Sequence, residues 1–545
     1  MSPRTGAQAL VEALVTEGVE VLFGIPGVGT LSVYDAFCDH PQLRHIETRH
    51  EQGAVFMADG YARATGRPGV AFTSGGPGAF NTMTAMGTAF NDSVPVLHIV
   101  NENPASVRRK GRGHFHDMSD QFGMFRPVTG FGQQVLLSDE IPLAIHQAMF
   151  ALRSRRPRPA LVEIAGEALT TLTDAPIPEP AASVKPLPDL QTVEAAVRLI
   201  AAASSPLIWA GGGIATREAA LELQTLAERM GAPVITTQKG KGAIAHDHPL
   251  HLGNWANEPP VQELINRSDL LVAVGTRFSY FPTGGWALRL PERIVQIDLD
   301  PAEIGRNYPV SVGLMGDAAP TLHLLNRGMA AGSGNDRKAE VAEALAAVTR
   351  SIGPAVELEV LDQIRAALPD EALVYNDPTT LAFWARGWWR TRHPRTWFIP
   401  SGFGTLGYAL PAAIGGATAR PDLPVVAIAG DAGAMFTIQE LMTAVQENVS
   451  VVYLVFNDRG YGVERRHQDH LYGRRSGVDI LPPDFVALAR ACGARGLLVD
   501  DLSQVGTTLE AVIGAPGPVL IEIPGQFRHP GYGSFASSPS SKESH

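Results

Sequence analysis

The 545-residue chain contains only two cysteines, no long apolar run and no excess of basic residues. Cys38 and Cys492 lie far apart without metal-ligand spacing, which favours two buried, unpaired thiols in a reducing compartment. No apolar run reaches the roughly 18 residues of a membrane span, and residues 5–18 form an amphipathic pattern instead of a signal peptide. The net charge of −11 gives no electrostatic support for binding nucleic acid. These absences predict a cytoplasmic enzyme without a membrane or nucleic-acid partner.

The length and the order of the sequence patterns predict an α/β protein of several domains. A chain of 545 residues exceeds the usual size of one domain. Short apolar runs alternate with helical patterns, which indicates parallel sheets with helices on both faces. We therefore predict three doubly wound parallel-sheet domains, at residues 1–172, 191–332 and 351–530. Residues 173–190 and 333–350 are predicted linkers, and the serine-rich residues 531–545 a C-terminal tail.

The most informative stretch, residues 425–462, predicts a strand, a tight turn, a helix and a second strand. It reads VVAIAGDAGAMFTIQELMTAVQENVSVVYLVFNDRGYG, with apolar runs at 425–429 and 451–456 and a helical pattern as far as Glu447. In a parallel sheet both strands end at one edge, where ligands of open α/β folds bind. Asp431 follows the first strand and Asp458 the second. One crossover therefore brings two carboxylates to the same edge.

Two acidic strand ends suit a Mg²⁺ ion whose remaining ligands come from phosphate groups. Gly430 and Gly433 would let the backbone approach a diphosphate and would expose N–H groups at the start of the helix. Alone, Asp431 would more simply be the N-cap of that helix. The second carboxylate, Asp458, favours the metal site over this alternative.

This stretch resembles the cofactor motif of thiamin diphosphate enzymes, a Gly-Asp-Gly followed one crossover later by Asn-Asn. The resemblance implies that Asp431, Asp458 and the backbone carbonyl of Gly460 bind Mg²⁺. The cofactor-binding residues that it implies at this edge are Gly430, Asp431, Ala432, Gly433, Asp458, Gly460 and Tyr461. Ala432 departs from the motif by replacing its second glycine, a mild change if φ is negative there. Asp458 departs by replacing the second asparagine, which adds a negative charge beside the metal.

A second resemblance to these enzymes lies in ETRHEQGAVFMADGYARATGRPGV, residues 47–70. Glu51 stands at the start of the predicted helix, where it would by itself be a favourable charge at a helix N-terminus. The resemblance implies instead that Glu51 is catalytic and hydrogen-bonds N1′ of the cofactor's aminopyrimidine. A carboxyl group that exchanges a proton with N1′ allows the cofactor's own amino group to remove the proton from its thiazolium C2.

Two further glycine-rich regions bear on cofactor binding. In SGFGTLGYALPAAIGGA, the resemblance implies that Leu406 is the bulky residue beneath the cofactor, although the stretch also reads as a turn before a tightly packed helix. In the central domain, GGG at 211–213 and GTRFSYFPTGG at 275–285 follow predicted strands. Some acetolactate synthases hold FAD in this domain. In many relatives the same cleft is empty or serves packing, so a glycine turn alone is a weak sign of a flavin.

The resemblance also implies the assembly. The first and third domains share a strand, glycine turn and helix layout that suggests a diverged duplication, and they would be the pyrimidine-binding and diphosphate-binding domains. In this family the two domains of one active site come from different chains. Glu51 and Asp431 would then meet across subunits of a homodimer, or of a dimer of such dimers.

Four stretches together indicate the type of reaction: FGIPGV, RHEQGAVFMADGYARATG, RRKGRGHFHDMSDQF and GTLGYALPAAIG. This combined pattern is most similar to acetolactate-synthase-like enzymes, which implies non-oxidative decarboxylation of a 2-oxo acid through an enamine. His116 and Gln121 are candidates for proton transfer or carboxylate recognition, with a solvated loop as the alternative. Tyr461 and Glu464 are further pocket candidates.

Two other functions stay open at this point. The first is carboligation, because the enamine can attack a second carbonyl compound to give an acyloin or acetohydroxy acid. Val28 stands where some decarboxylases carry a polar Ser or Asp, so that acid/base group is missing here. The second is a binding protein that keeps the fold without catalysis, against which the presence of Glu51 counts.

Overall fold

The computed structural model describes residues 3–182, 185–330 and 336–530. These residues form three sheets of six parallel strands each, joined by helices. The predicted α/β class with three doubly wound parallel-sheet domains is confirmed. The tail predicted at 531–545 lies outside the described residues.

The first domain is tied at its ends by a short antiparallel pair, β1 with β8, and its strands lie in the order β3-β2-β4-β5-β7-β6. Every residue of β5 is buried, as expected for a central strand covered on both faces. Its elements are β1 (Arg4–Thr5), α1 (Gly6–Thr16), β2 (Val21–Gly24), α2 (Leu31–Phe37), β3 (Arg44–Glu47), α3 (Glu51–Thr65), β4 (Gly69–Thr73), α4 (Pro77–Asn81), α5 (Met83–Asp92), β5 (Val96–Glu102), α6 (Gln121–Phe125), β6 (Phe131–Val135), α7 (Ile141–Ser154), β7 (Ala160–Ala165), α8 (Gly166–Thr170) and β8 (Leu172–Thr173).

The central domain has the strand order β11-β10-β9-β12-β13-β14. The chain thus runs outward from β9 in one direction and then in the other, the order of dinucleotide-binding folds. Its elements are α9 (Leu190–Ala201), β9 (Pro206–Ala210), α10 (Arg217–Met230), β10 (Val234–Thr236), β11 (His251–Gly253), α11 (Pro259–Asn266), β12 (Leu270–Val274), β13 (Ile294–Asp298), β14 (Val312–Met315), α12 (Ala318–Gly328) and α13 (Lys338–Ile352).

The third domain has the strand order β16-β15-β17-β18-β20-β19. Its elements are α14 (Val356–Ala366), β15 (Leu373–Asn376), α15 (Thr380–Trp388), β16 (Trp397–Phe398), α16 (Ala409–Ala419), β17 (Val425–Gly430), α17 (Asp431–Ala434), α18 (Glu440–Gln446), β18 (Val452–Asn457), α19 (Gly462–Tyr472), α20 (Phe485–Ala491), β19 (Arg495–Leu498), α21 (Val505–Glu510) and β20 (Val519–Pro524).

The first and third sheets have the same topology. When each sheet's strands are counted in chain order, both run 2-1-3-4-6-5. This identity supports the predicted duplication. Helices α3 and α16 are equivalent in it, because each follows the second strand of its sheet.

Helices α3 and α16 pack directly on each other and join the two domains through one core. Apolar residues from both domains, among them Phe56 and Leu410, belong to the same buried cluster. The helices approach so closely that a Cβ on Gly60 would lie 1.9 Å from the carbonyl oxygen of Ala412. A Cβ on Gly415 would lie equally close to the carbonyl oxygen of Met57. Gly60 of α3 and Gly415 of α16 therefore lie at the contact between the first and third domains.

Three details differ from the sequence-based expectations. The helix predicted through Glu447 is interrupted, because α17 ends at Ala434 and α18 begins at Glu440. The segment predicted as a linker at 333–350 contains most of α13, and the connection is helical there since Val341 and Val348 pack on the central domain. The cysteines were predicted to be buried, which is wrong: Cys38 is exposed and Cys492 is half-buried, although both are free thiols.

No helix in the described ranges is long and apolar enough to cross a membrane.

Candidate active site

The carboxyl edge of the third sheet brings the two predicted metal ligands together. Strands β17 and β18 are parallel neighbours, with Gly430 paired to Phe456. Asp431 follows the first of these strands directly, and Asp458 follows Asn457 at the end of the second. The strand pairing therefore places both carboxylates at one edge, as the sequence predicted.

The electrostatics of this pair fit a bound cation. Asp431 is fully buried, and neither of its carboxylate oxygens has a hydrogen-bonding partner of normal geometry. Burial raises the pKa of Asp431, an effect that the nearby N–H groups of Ala432 and Gly460 partly offset. Burial and the charge of Asp431 raise the pKa of Asp458 to about 6. A fully buried carboxylate beside a half-buried one is costly, and a divalent cation between Asp431 and Asp458 would remove much of that cost.

The only cationic side chain close to this pair in the described ranges is Arg465. Its Nη1 lies 3.8 Å from Oδ1 of Asp458 and donates a hydrogen bond to the carbonyl oxygen of the same residue. Arg465 also pairs with Asp479, so its charge is shared. No group of three or more His, Cys, Asp or Glu side chains is arranged to hold a metal within the described residues. A cation here would therefore need the backbone carbonyl of Gly460 and oxygens from a ligand.

The two glycines of this turn differ in how closely they are packed. A Cβ on Gly430 would meet Phe456 and Thr379 at 3.8 Å, an ordinary van der Waals distance. A Cβ on Gly433 would lie 2.6 Å from Oδ2 of Asp377. Ala432 lies inside α17, where φ is negative, so alanine in place of the motif's glycine causes no backbone strain.

Asp377 is a buried carboxylate of this site that the sequence analysis missed. It follows β15, accepts hydrogen bonds from the N–H groups of Gly407, Tyr408 and Ala409 at 2.8 Å each, and so fixes the start of α16. Burial raises the pKa of Asp377 to about 6. The turn that it fixes carries Leu406, whose Cδ2 lies 3.8 Å from the Cβ position of Gly433. Leu406 thus lies beside the metal-site turn, and the acidic end of β15 in LVYND was the signal for Asp377.

The second predicted centre, Glu51, lies in the first domain. It is the first residue of α3, after His50 as N-cap, and its Oε2 accepts a hydrogen bond from Asn81 Nδ2 at 2.9 Å. The turn after β4 lies close by, since a Cβ on Gly78 would be 3.4 Å from Oε1 of Glu51. The same turn touches the one after β2, where a Cβ on Gly27 would lie 2.8 Å from the Cβ of Ser74. Turns after neighbouring strands therefore surround Glu51.

Gln121 and His116 border this region in different ways. Gln121 is fully buried, and its Oε1 accepts the N–H of Gly76 at 2.7 Å while its Nε2 donates to Glu163 at 2.9 Å. Its amide thus holds the turn after β4. His116 has a φ of 60° and stacks on Phe115, and burial lowers the pKa of its ring. The proposed chemical roles of both residues stay predictions.

Tyr461 and Glu464 lie where the chain leaves the metal-site edge. The N–H of Tyr461 donates to the carbonyl of Val478 at 2.9 Å, and Tyr461 directly precedes α19. Glu464 is exposed, and no residue of α19 is buried within the chain. This helix is therefore open to solvent or to another molecule.

No direct polar contact joins the two centres among the described residues. Glu51 is bonded to Asn81 of its own domain, and no hydrogen bond or ion pair connects it with Asp431 or Asp458.

The glycine turns of the central domain border a separate cavity of about 570 Å³, lined also by Lys239, Arg277 and Asp92. The glycines are explained by contact between the two turns, because a Cβ on Gly211 would lie 2.2 Å from the carbonyl oxygen of Gly275. Lys239 is paired with Asp92 at 2.5 Å. The cavity has room for a ligand, and contact between the turns accounts for Gly211, Gly213 and Gly275, so FAD at this place stays a prediction.

Comparison with known families covers all three domains. The chain matches the N-terminal TPP binding domain of thiamine pyrophosphate enzymes over residues 4–124. It matches their central domain over residues 193–325 and their C-terminal TPP binding domain over residues 377–523. The third match includes Asp377, Asp431 and Asp458, and the first includes Glu51.

Relatives with similar sequences span nearly the whole chain. A probable 2-ketoarginine decarboxylase, AruI, of Pseudomonas aeruginosa is 39% identical, over 95% of this chain and 94% of the relative. A probable acetolactate synthase large subunit of Methanococcus aeolicus is 32% identical, over 95% and 91%. An acetolactate synthase of Mycobacterium bovis is 36% identical, over 90% and 83%.

Proposed function

The chain belongs to the thiamine pyrophosphate enzymes, and from this membership we propose that it decarboxylates a 2-oxo acid with thiamin diphosphate and Mg²⁺. The proposal rests chiefly on the carboxylate of Asp431. It is buried, has no hydrogen-bonding partner of normal geometry, and lies beside Asp458 at the edge of the sheet where ligands of such folds bind. A protein without a metal-bound ligand at this edge would have little reason to keep two such charges.

Each residue of the site has a role that its surroundings support. Asp431, Asp458 and the Gly460 carbonyl would bind Mg²⁺, and the glycine turn at 430–433 would bind the diphosphate. Thiamin diphosphate, when bound, would supply the carbon nucleophile and the electron sink that decarboxylation of a 2-oxo acid requires. Glu51 would hold and exchange the proton at N1′ of the aminopyrimidine, and Leu406 would pack beneath the cofactor.

The proposed working unit is a homodimer, alone or paired into a dimer of dimers. Within the described residues no hydrogen bond or ion pair joins Glu51 to the 431/458 pair, which leaves room for the two to meet across subunits. A second copy that brings its Asp431 and Asp458 to the first copy's Glu51 would complete both sites at once.

The substrate class follows from the relatives. AruI of Pseudomonas aeruginosa is named for 2-ketoarginine, which is 5-guanidino-2-oxopentanoate, and we propose a 2-oxo acid of this kind as the first candidate. Carboligation is the second candidate function, because acetolactate synthases are 32% and 36% identical over at least 90% of this chain. Val28 is apolar and highly exposed. It cannot protonate the enamine, and the lack of an acid at this position is compatible both with decarboxylation to an aldehyde and with carboligation.

Product identification separates the two functions. Purified protein should be incubated with Mg²⁺, thiamin diphosphate and single 2-oxo acids, including pyruvate and 5-guanidino-2-oxopentanoate. We expect CO₂ release that requires both cofactors, with an aldehyde as the product. An acyloin or acetohydroxy acid as the product would establish the carboligase instead. If no 2-oxo acid gave CO₂, the remaining function would be that of a binding protein without catalysis.

The Glu51→Gln variant tests the catalytic role within the same assay. We expect turnover to fall by roughly 100-fold or more, because glutamine cannot exchange a proton with N1′. Affinity for thiamin diphosphate, measured by fluorescence titration, should change little. Glu47→Gln is the matched control, since Glu47 is exposed at the end of β3 and its carboxylate accepts a hydrogen bond from Gln446 that glutamine can also accept. Equal turnover in Glu51→Gln and wild type would refute the role of Glu51.

A further inference from the structure

Glu440 is a fully buried carboxylate at the contact between the third and first domains. It begins α18, directly after the break that separates α18 from α17. Its side chain reaches the start of α3, the helix that begins with Glu51. Glu440 takes no direct part in the proposed chemistry.

The contacts of Glu440 lie on both sides of Glu51 in the sequence. The backbone N–H of Arg49 donates to Oε1 at 3.2 Å and to Oε2 at 3.1 Å. A Cβ on Gly53 would lie 2.3 Å from Oε1, so only glycine lets the first turn of α3 come this close. Thr443 Oγ1 donates to Oε2 at 2.8 Å and holds the carboxyl group from its own helix.

The position of Glu440 matches what a helix start requires. The first N–H groups of a helix lack partners within it, and a negative charge near them is favourable. His50 caps α3 locally by accepting the N–H of Gln52 at 3.1 Å. The N–H of the preceding Arg49 is bonded across the domain boundary to Glu440 instead. Burial raises the pKa of Glu440 to about 7, and the neighbouring N–H groups and the Arg49 side chain oppose that rise.

Other contacts at the same boundary do not reach Glu51. Arg44 pairs with Glu447 at 2.8 Å, and Arg49 Nη2 donates to Gln446 at 2.5 Å. Both are partly exposed and touch β3 or the loop after it. The two domains are also joined by the α3–α16 contact. Docking of the domains therefore has other sources, whereas Glu440 acts on the residues that flank Glu51.

From these contacts we propose that Glu440 is a positioning residue for Glu51. It fixes the backbone of residues 49–53, and through it the direction in which the Glu51 carboxyl group points out of the first turn of α3. The inference rests on the proposed function, in which Glu51 must meet N1′ of the aminopyrimidine. Catalytic groups held slightly off their productive geometry lose large factors in rate while binding is nearly unchanged.

The test compares Glu440→Ala with Glu440→Gln and with the matched control Glu447→Gln. Glutamine keeps an oxygen for the Arg49 N–H and an amide for Thr443, so we expect kcat within about threefold of wild type. Alanine leaves the Arg49 N–H without its partner, and we expect kcat to fall about tenfold or more with KM and cofactor affinity within about twofold. Glu447→Gln removes the Arg44 ion pair and should leave kcat unchanged.

A second measurement makes the result independent of the chemistry. Amide hydrogen exchange of peptides covering residues 47–56 should be faster in Glu440→Ala than in wild type and unchanged in Glu447→Gln. If wild type proves inactive with every 2-oxo acid, the proposed function fails but the exchange data still test the positioning.

Should Glu440→Ala not fold, Gly53→Ala replaces it, because its new methyl group would displace the Glu440 carboxyl. Wild-type kcat together with wild-type exchange in the tested variant would overturn the proposal, as would an equal loss of kcat in Glu447→Gln.

Discussion

Asp431 is the residue in which the requirements of stability and of ligand binding differ most. Its carboxylate is fully buried without a hydrogen-bonding partner, and Asp458 lies close enough for its pKa to be raised by the charge of Asp431. Such an arrangement is unfavourable in a protein without ligand and favourable around a divalent cation. An unfavourable burial of charge of this kind is typical of functional sites.

The Asp431→Asn variant should therefore separate folding from cofactor binding. Without metal we expect its Tm to equal or exceed that of wild type, because a neutral amide replaces a buried charge and can donate to Asp458. With Mg²⁺, its affinity for thiamin diphosphate should fall about tenfold or more, since a charged ligand of the metal is lost. Differential scanning fluorimetry and fluorescence titration measure these quantities. Asp422→Asn, in an exposed ion pair with Arg420, is the control and should change neither. Unchanged affinity in Asp431→Asn would contradict the metal site.

Glu440 predicts a pH dependence of stability. Its folded-state pKa is raised to about 7 from 4.5, so the folded protein binds a proton at this site that the unfolded chain releases between these pH values. The resulting contribution to stability is complete below about pH 4.5, is lost as the pH rises through about 7, and is of order 3 kcal/mol at most.

The measurement is Tm against pH for wild type and for Glu440→Gln, which does not titrate. We expect wild type to lose stability relative to the variant between about pH 5 and about pH 8. Glu447→Gln should follow the wild-type curve. If the Tm curves of wild type and Glu440→Gln ran parallel, the pKa of Glu440 would not be raised in the folded protein.

At the scale of elements, the contact between α3 and α16 is the feature on which both centres depend. Glu51 begins α3, and the turn carrying Leu406 precedes α16. Glycines at the crossing let the two backbones touch, with a Cβ on Gly60 lying 1.9 Å from a carbonyl oxygen that cannot move independently. Any side chain there must separate the helices.

Gly60→Ala should accordingly destabilise the protein despite alanine's better helix propensity. The new methyl group would overpack a rigid backbone contact, for which we expect a loss of about 1–3 kcal/mol or more in the free energy of unfolding. Urea denaturation measures this. Gly166→Ala is the control, because a Cβ on Gly166 would meet nothing closer than 3.4 Å and its φ is not positive. Equal stability of the Gly60→Ala variant and wild type would mean that the helices can separate freely.

For the molecule as a whole, the proposed site has two halves, and no hydrogen bond or ion pair joins them among the described residues of one chain. The equal topology of the first and third sheets gives each chain one edge with Glu51 and one with Asp431 and Asp458. A two-fold assembly that pairs unlike edges completes two sites and leaves neither half unused.

Complementation between inactive variants tests this arrangement. Glu51→Gln and Asp431→Ala chains, carrying different affinity tags, should each be inactive alone. In a mixed dimer one site combines Glu51 of one chain with Asp431 of the other, and random pairing restores about one quarter of wild-type activity. The activity should co-purify with both tags. Activity that stays absent in purified mixed dimers, while two differently tagged wild-type chains form active ones, would place the complete site within a single chain.

Local sequence patterns were sufficient to predict the fold class and one edge of the proposed site. Short apolar runs specify buried strands, and since parallel strands joined by a crossover end at one edge, Asp431 and Asp458 had to be neighbours once β17 and β18 were recognised. The position of Glu51 at a helix start followed equally from local pattern. These features depend on residues close in sequence.

Features that depend on residues far apart in the sequence became visible only in the folded chain. The helical pattern before Glu447 did not reveal the break that turns Glu440 toward Arg49, because the break satisfies a contact with another domain. Asp377 acquired its meaning from three N–H groups about 30 residues later in the chain. Gly211 and Gly275 of the central domain suggested a nucleotide site, and the contact of their two turns gives a second reason for glycine there. In each case the deciding contact joins segments that are distant in sequence, which local pattern does not encode.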